Sequence, residues 1–189
     1  MINQIQHFLQ QNTRLTSAEI LDISGSFTTV AIKRNQVLEE EGKVCKHLYF
    51  VNKGCLRLYQ IDKKGNDITG YFALEDSFIT ALTSFITQKP SRDFLTANEP
   101  AELEVISRQA FIDLTEKYSE FKKLYDKTIE YAFIHAQMRI YSFLGMEGID
   151  KLKWVMEHEP KLLTRISSKA VASYLGMTNS TLSKLKAKL

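Results

Sequence analysis

Cysteine is scarce: the 189 residues contain two, Cys45 and Cys55. Two thiols cannot supply a disulfide framework, a four-thiolate zinc site or the ligands of an iron–sulfur cluster. Histidine is almost as sparse, and His7, His47, His135 and His158 are scattered without metal-ligand spacing, so no metal is expected. The same scatter argues against a metal enzyme. Three prolines and eight glycines exclude collagen-like and linker-dominated chains. No apolar run approaches the ~18 residues of a membrane span. Met1 to Gln10 lacks a basic stretch followed by an apolar core, so no leader is expected and a reducing cytoplasm is the expected location. What remains is an ordinary globular composition, 44% hydrophobic and 25% charged, which argues against disorder. At ~150 residues per domain the length allows one large domain, or one with a small companion.

Acidic residues are also missing, but only at one end. From Lys161 to Leu189 there are six basic residues (Lys161, Arg165, Lys169, Lys184, Lys186, Lys188) and no Asp or Glu. The remaining 19 Lys+Arg face 22 Asp+Glu in residues 1–160, a balance of −3 before Lys161 and +6 after it. Such asymmetry suggests a basic module that meets a polyanion, or a solvated basic tail.

The hydrophobic period changes along the chain. Between residues 27 and 106 short runs alternate, as in Leu56-Arg57-Leu58-Tyr59 and Glu102-Leu103-Glu104-Val105. Turn chemistry separates them: Glu41-Gly42, Asn52-Lys53-Gly54, Asp62 to Asp67 and Asn98-Glu99-Pro100. Strands at this spacing predict a sandwich or barrel, with Ile79–Thr87 as a short helical insertion. After Ser107, a plausible N-cap, the period becomes 3.6. A long helix is expected from Ser119 to Leu144 with two apolar stripes. One is Phe121, Tyr125, Ile129, Ala132, Ala136, Ile140 and Phe143; the other is Leu124, Tyr131 and Met138, with Thr128 and His135 interleaved. A surface helix needs one stripe. Two suggest that one face packs on its own domain and the other on the same helix of a second subunit, or that a single larger domain buries both. Gly145 and Gly148 then break the helix.

The most specific signal is S-K-A-V-A-S-Y-L-G-M-T-N-S-T-L-S-K-L-K-A, Ser168 to Ala187. It reads as two helices joined by a tight turn. Val171, Leu175, Leu182 and Leu185 face inward, Ala172 sits at the crossing, Gly176 takes positive φ and Thr178 caps the second helix. This is the spacing of a helix-turn-helix; a plain helical hairpin has the same steric needs. The second helix carries polar and basic residues with no carboxylate to repel phosphate, which favours DNA. In that geometry Asn179, Ser180 and Lys184 reach base edges, while Ser168, Lys169, Thr178, Thr181 and Lys186 meet phosphates. The chain stops where this helix ends, so no β-wing is expected after it.

The β-roll, long helix and terminal helix-turn-helix, in that order, resemble the Crp/Fnr family of bacterial transcription regulators. The residues carrying the resemblance are L-Y-F-V-N-K-G-C-L-R-L-Y (Leu48–Tyr59), the K-K-G-N-D turn that follows, and A-S-Y-L-G-M-T-N-S-T-L-S-K-L (Ala172–Leu185). The resemblance implies an α+β chain: an antiparallel, jelly-roll-like sensor domain over residues 1–118, a dimerisation helix over 119–145 and a helix-turn-helix domain over 146–189. It further implies a non-enzymatic homodimer on a pseudo-palindromic operator in double-stranded DNA, contact with RNA polymerase, and a small effector sensed in the β-roll.

The effector site is where the sequence departs from that pattern. Cyclic-nucleotide binders of this fold hold ribose and phosphate with a Gly-Glu pair on a short helix, followed by Arg-Ser or Arg-Thr. Here Thr80 and Ala81 replace the pair, and Ser91-Arg92 appear in inverted order beside Asp93. Loss of the ribose acceptor leaves a ligand hydroxyl without its charged partner, costing about 1.5–3 kcal/mol. Cyclic AMP is therefore not expected by the usual contacts. A pocket lined by Phe72, Thr80, Ala81, Leu82, Ser91 and Arg92 is expected to take another small anion, or no effector at all. The rival reading is a β-roll ligand-binding protein or enzyme whose helical C-terminus serves only for dimerisation.

Overall fold

In the computed structural model residues 3–189 are described, apart from the side chains of Ser142 and Phe143. Two helices open the chain, α1 (Gln4–Asn12) and α2 (Ser17–Gly25). Both begin at capping boxes, Asn3 with Gln6 and Thr16 with Glu19. Each box satisfies two backbone N–H groups that have no partner inside the helix. A reading that starts with strands near residue 27 misses these helices, although N-x-x-Q and T-x-x-E are legible starts.

The strands are β1 (Thr28–Ile32), β2 (Val37–Glu39), β3 (His47–Lys53), β4 (Leu56–Ile61), β5 (Asp67–Ala73), β6 (Phe78–Ile79), β7 (Phe94–Ala97) and β8 (Ala101–Ser107). A short helix, α3 (Leu82–Thr87), follows β6 in the region expected to hold the helical insertion. The strands form two four-stranded sheets, ordered β1-β8-β3-β6 and β2-β7-β4-β5. β3 runs antiparallel to both neighbours, with Leu48 opposite Ile106 and Phe50 opposite Phe78. Successive side chains of a strand point to opposite faces. Leu48 and Phe50 accordingly join a core with Ile5, Leu9 and Ile23 of the N-terminal helices, while Tyr49 and Val51 join a second core with Leu56, Leu95 and Leu103. Cover on both faces explains why L-Y-F-V is an unbroken apolar run rather than an alternating one.

After β8 come α4 (Arg108–Lys117), α5 (Ser119–Gly145), α6 (Gly148–His158), α7 (Pro160–Arg165), α8 (Ser168–Tyr174) and α9 (Asn179–Lys186). Ser107 caps α4 by accepting from the Ala110 N–H at 3.2 Å. Among the described residues no helix is long and apolar enough to cross a membrane. The chain divides into two compact units: residues 1–58 with 72–130, and residues 59–71 with 131–189. The outer half of the β4–β5 hairpin thus belongs with the C-terminal helices, and the division falls inside α5, rather than at its two ends.

Within the first unit, the start of α5 completes the core. Phe121 and Leu124 are buried, and Tyr125 packs against the same cluster. The expected stripe from Phe121 to Phe143 is therefore not uniform along the helix: at its start the side chains are enclosed by their own domain and are not free to meet a partner. Ile129 is half-buried, Ala132, Ala136 and Ile140 are exposed, and the side chain of Phe143 lies outside the described residues. The second half of α5 has a different character. Tyr131, Phe133, Ile134, Met138, Ile140, Tyr141 and Leu144 are between 49% and 83% exposed.

Candidate functional site

The C-terminal unit contains the helical pair that the sequence singles out. Val171, Ala172 and Leu175 from the α8 side and Leu182 of α9 are buried, with Met177 and Leu185 half-buried at the edge. Gly176 has φ +66°, a left-handed conformation. The N–H of Met177 donates to the Ala172 carbonyl at 3.0 Å and that of Gly176 to the Ser173 carbonyl at 3.1 Å. These are the two bonds of a Schellman C-cap, and glycine at this position carries no Cβ penalty. Gly148, at the start of α6, lets that helix come close: a Cβ there would stand 3.1 Å from Leu185 Cδ1 and 3.6 Å from Met177 Cε. Trp154 is half-buried and stacks on His158, with ring centroids 5.0 Å apart; Leu152 and Val155 are the buried residues of α6.

Caps fix where the two helices begin. Ser167 caps α8, accepting from the Ala170 N–H at 3.3 Å, and leaves Ser168 and Lys169 exposed on the first turn. Thr178 caps α9, accepting from the Thr181 N–H at 3.1 Å, and its hydroxyl lies 2.8 Å from that of Thr181. Asn179, Ser180, Thr181, Ser183, Lys184 and Lys186 are all exposed, with no carboxylate on α9. The first-turn N–H groups of α9 and two of its lysines therefore present a surface suited to anions.

Three side chains outside the expected set are tied to this pair. Ser173 of α8 bonds the start of β5, in the outer half of the β4–β5 hairpin (hereafter its tip), donating to the Asp67 carbonyl at 2.6 Å and accepting from the Thr69 N–H at 2.9 Å. Arg139 of α5 donates from Nη2 to the carbonyls of Thr69 at 2.8 Å and Tyr174 at 3.0 Å, and from Nη1 to that of Gly70. Tyr174 donates to Glu159 Oε1 at 3.2 Å. Burial pushes the Glu159 carboxyl above its ordinary range and lowers the Arg139 guanidinium below its own. Arg139 lies in neither apolar stripe of the long helix, and its partners are on distant segments, so nothing local in the sequence marks this cluster.

In the N-terminal unit the expected effector residues are dispersed in character. Phe72, Thr80, Ala81 and Ser91 are buried, Leu82 is half-buried and Arg92 is exposed. The Thr80 hydroxyl donates to the His47 carbonyl at 2.8 Å and lies 3.1 Å from Cys45 Sγ. Ser91 Oγ accepts from the Asp93 N–H at 2.9 Å and donates to the Asp93 carbonyl at 3.2 Å. Both hydroxyls are thus turned onto the protein itself. Ala81 belongs to the same core as Phe85 and Phe111. Nearby, Tyr49 donates to the buried Glu39 carboxylate at 2.8 Å. Burial and that carboxylate push the Tyr49 phenol up, and burial raises the Cys45 thiol. Among the described residues no group of three or more His, Cys, Asp or Glu side chains is arranged to hold a metal ion.

Residues 29–118 match the family described as cyclic nucleotide-binding domain. No curated protein matches the sequence. Solved structures of similar fold cover most of the chain. FixK2 from Bradyrhizobium japonicum is similar with TM-score 0.74 and 17% identity, over 86% of this chain and 84% of that one. The regulator CLP of Xanthomonas campestris, described as c-di-GMP responsive, gives 0.75 and 12%, over 92% and 91%. A putative Crp/Fnr-family regulator from Eubacterium rectale gives 0.72 and 16%, over 95% and 85%. At these identities the likeness is one of fold. The chain is built as a cyclic nucleotide-binding-type β-roll followed by a long helix and a helical C-terminal unit. Of these neighbours, the one from Eubacterium rectale is described as a putative transcriptional regulator of the Crp/Fnr family.

Proposed function

We propose that this chain is a sequence-specific DNA-binding transcription regulator of the Crp/Fnr type, acting as a homodimer in the cytoplasm, and not an enzyme. The observation that carries the reading is the exposed, carboxylate-free face of α9 on a capped and glycine-turned helical pair. In this reading α9 lies in the major groove, where Asn179 pairs bidentately with adenine and Lys184 donates to guanine O6 and N7. Ser168, Lys169, Thr178, Thr181 and Lys186 contact phosphates and set the register. The exposed apolar half of α5, from Tyr131 to Leu144, is the surface for the second copy, since exposed clusters of this size mark interaction sites. Two-fold pairing places the recognition helices about 34 Å apart, one turn of a pseudo-palindromic operator. RNA polymerase is the further partner of a regulator of this type.

The β-roll is the proposed sensor, for a small anionic effector rather than for cyclic AMP held in the usual way. This reading is supported by the resemblance, in which Ala81 takes the place of the ribose-binding carboxylate, and by the burial of that apolar side chain. A mobility shift with a random-site library of duplexes tests the function: recovery of a two-fold symmetric site supports it, and no retained duplex at low salt overturns it.

A further inference from the structure

The hairpin tip and the pair of helices are joined more tightly than a passing contact requires. Ser173 takes part in three hydrogen bonds with the tip, to the Asp67 carbonyl, the Thr69 N–H and the Thr69 hydroxyl, the last at 3.0 Å. Thr69 is fully buried and Tyr174 nearly so. Arg139 bridges the same place from α5, donating to the carbonyls of Thr69, Gly70 and Tyr174, with its guanidinium carbon 4.2 Å from the Tyr174 ring centroid. Tyr174 ends α8, and its carbonyl is one of the last four that lack a partner inside the helix. A cation there also faces the negative end of the helix dipole. Arginine suits the position because its planar fork reaches several acceptors at once, which the single ammonium of lysine does not.

All of these contacts fall at the C-terminal end of α8. The surfaces assigned to DNA, Ser168 and Lys169 at its other end and the polar face of α9, remain exposed while the tip is seated. We propose that the β4–β5 hairpin tip, held by Ser173 and Arg139, presets the helical pair in the arrangement that binds DNA, and that Ser173 and Arg139 are positioning residues. The proposal rests on the DNA-binding reading above. With the tip seated, the pair has one arrangement to present; with it released, the competent arrangement is a fraction of several and apparent affinity falls by that fraction. Neither residue touches DNA, so base preference and salt dependence stay as they are.

The test uses the full chain and the duplex that wild-type protein selects from a random-site library. Ser173→Ala is expected to weaken binding about five- to tenfold, the scale of lost buried hydrogen bonds, with the same slope of affinity against salt and the same selected sequence. Arg139→Lys should act in the same direction. In Thr69→Cys/Ser173→Cys the two thiols replace hydroxyls 3.0 Å apart, and both native cysteines are buried, so diamide should tie the tip to α8. The oxidised form is expected to regain wild-type affinity and the reduced form to bind like Ser173→Ala. Wild-type affinity in Ser173→Ala, or weaker binding by the oxidised form than by the reduced one, overturns the proposal. So does loss of amide-exchange protection across residues 171–175 in Ser173→Ala, which would make Ser173 a helix-stability residue. Failure of the wild-type chain to select any duplex is a different outcome and sinks the DNA-binding reading itself.

Discussion

Phe121 meets Phe111 edge to face, with ring centroids 5.8 Å apart and planes at 65°. This contact anchors the first turns of α5 in the core of the N-terminal unit and leaves the later turns to expose their apolar side chains. One helix therefore does two jobs at different positions along its length, rather than on two faces along all of it.

Substitutions at the two ends should separate those jobs. Phe121→Ala is expected to cost about 3–5 kcal/mol of stability by opening a cavity, while self-association of the folded fraction persists. Ile140→Asp should leave the denaturation midpoint of the N-terminal unit unchanged and shift the sedimenting species from dimer to monomer. A dimer that survives Ile140→Asp would place the pairing surface on another face of the helix.

The turn between α8 and α9 should tolerate little. Gly176→Ala forces a Cβ into the left-handed region and is expected to destabilise the C-terminal unit by about 1 kcal/mol. Gly148→Val should do more than a φ penalty, because its side chain meets Leu185 in the packed contact with α9. Urea denaturation followed through Trp154, which lies in this unit, reads both.

On α9 the two lysines should behave differently. Lys184→Ala is expected to relax discrimination at one base pair of the selected operator, at a cost of about 1–3 kcal/mol. Lys186→Ala should weaken operator and random duplex alike and reduce the slope of log affinity against log salt by about one. Binding titrations at several salt concentrations distinguish them; identical losses by both mutants on both duplexes would remove the assignment.

Glu159 should leave a trace in the pH dependence of stability. Burial raises its carboxyl above the ordinary 4.5, so over a window above that value the native chain holds a proton that the unfolded chain has released. Stability from this group is fully present below the window and declines as pH rises through the native value. Glu159→Gln should flatten that decline in denaturation curves taken across the acid-to-neutral range. An unchanged slope would show that Glu159 titrates alike in both states.

Isothermal titration with cyclic AMP and cyclic GMP is expected to show no micromolar binding. Ala81→Glu should not create it, since a carboxylate placed at that fully buried site faces the core, and should destabilise the chain instead. Micromolar affinity of the wild-type chain for either nucleotide would reverse the effector reading.

Much of the second half was legible from local patterns. Ser107 and Thr178 cap the helices they precede, Gly176 takes positive φ, and α5 ends at Gly145 before α6 starts at Gly148. The N-terminal helices were equally local in origin, and their capping boxes could have been read; α2 has little of the amphipathic contrast that draws attention to a helix, since its polar and apolar residues are interleaved around it.

By itself the sequence determined the elements, their order and the carboxylate-free basic end, because period, caps and charge act between near neighbours in the chain. Only the tertiary structure decided which stretch of α5 is enclosed, that the Thr80 and Ser91 hydroxyls serve their own backbone, and that the hairpin tip sits with the C-terminal helices. Ser173 and Thr69 are 104 residues apart, and Arg139 lies 69 from Gly70. Such pairings follow from which surfaces pack once the chain is folded, and no local period records them.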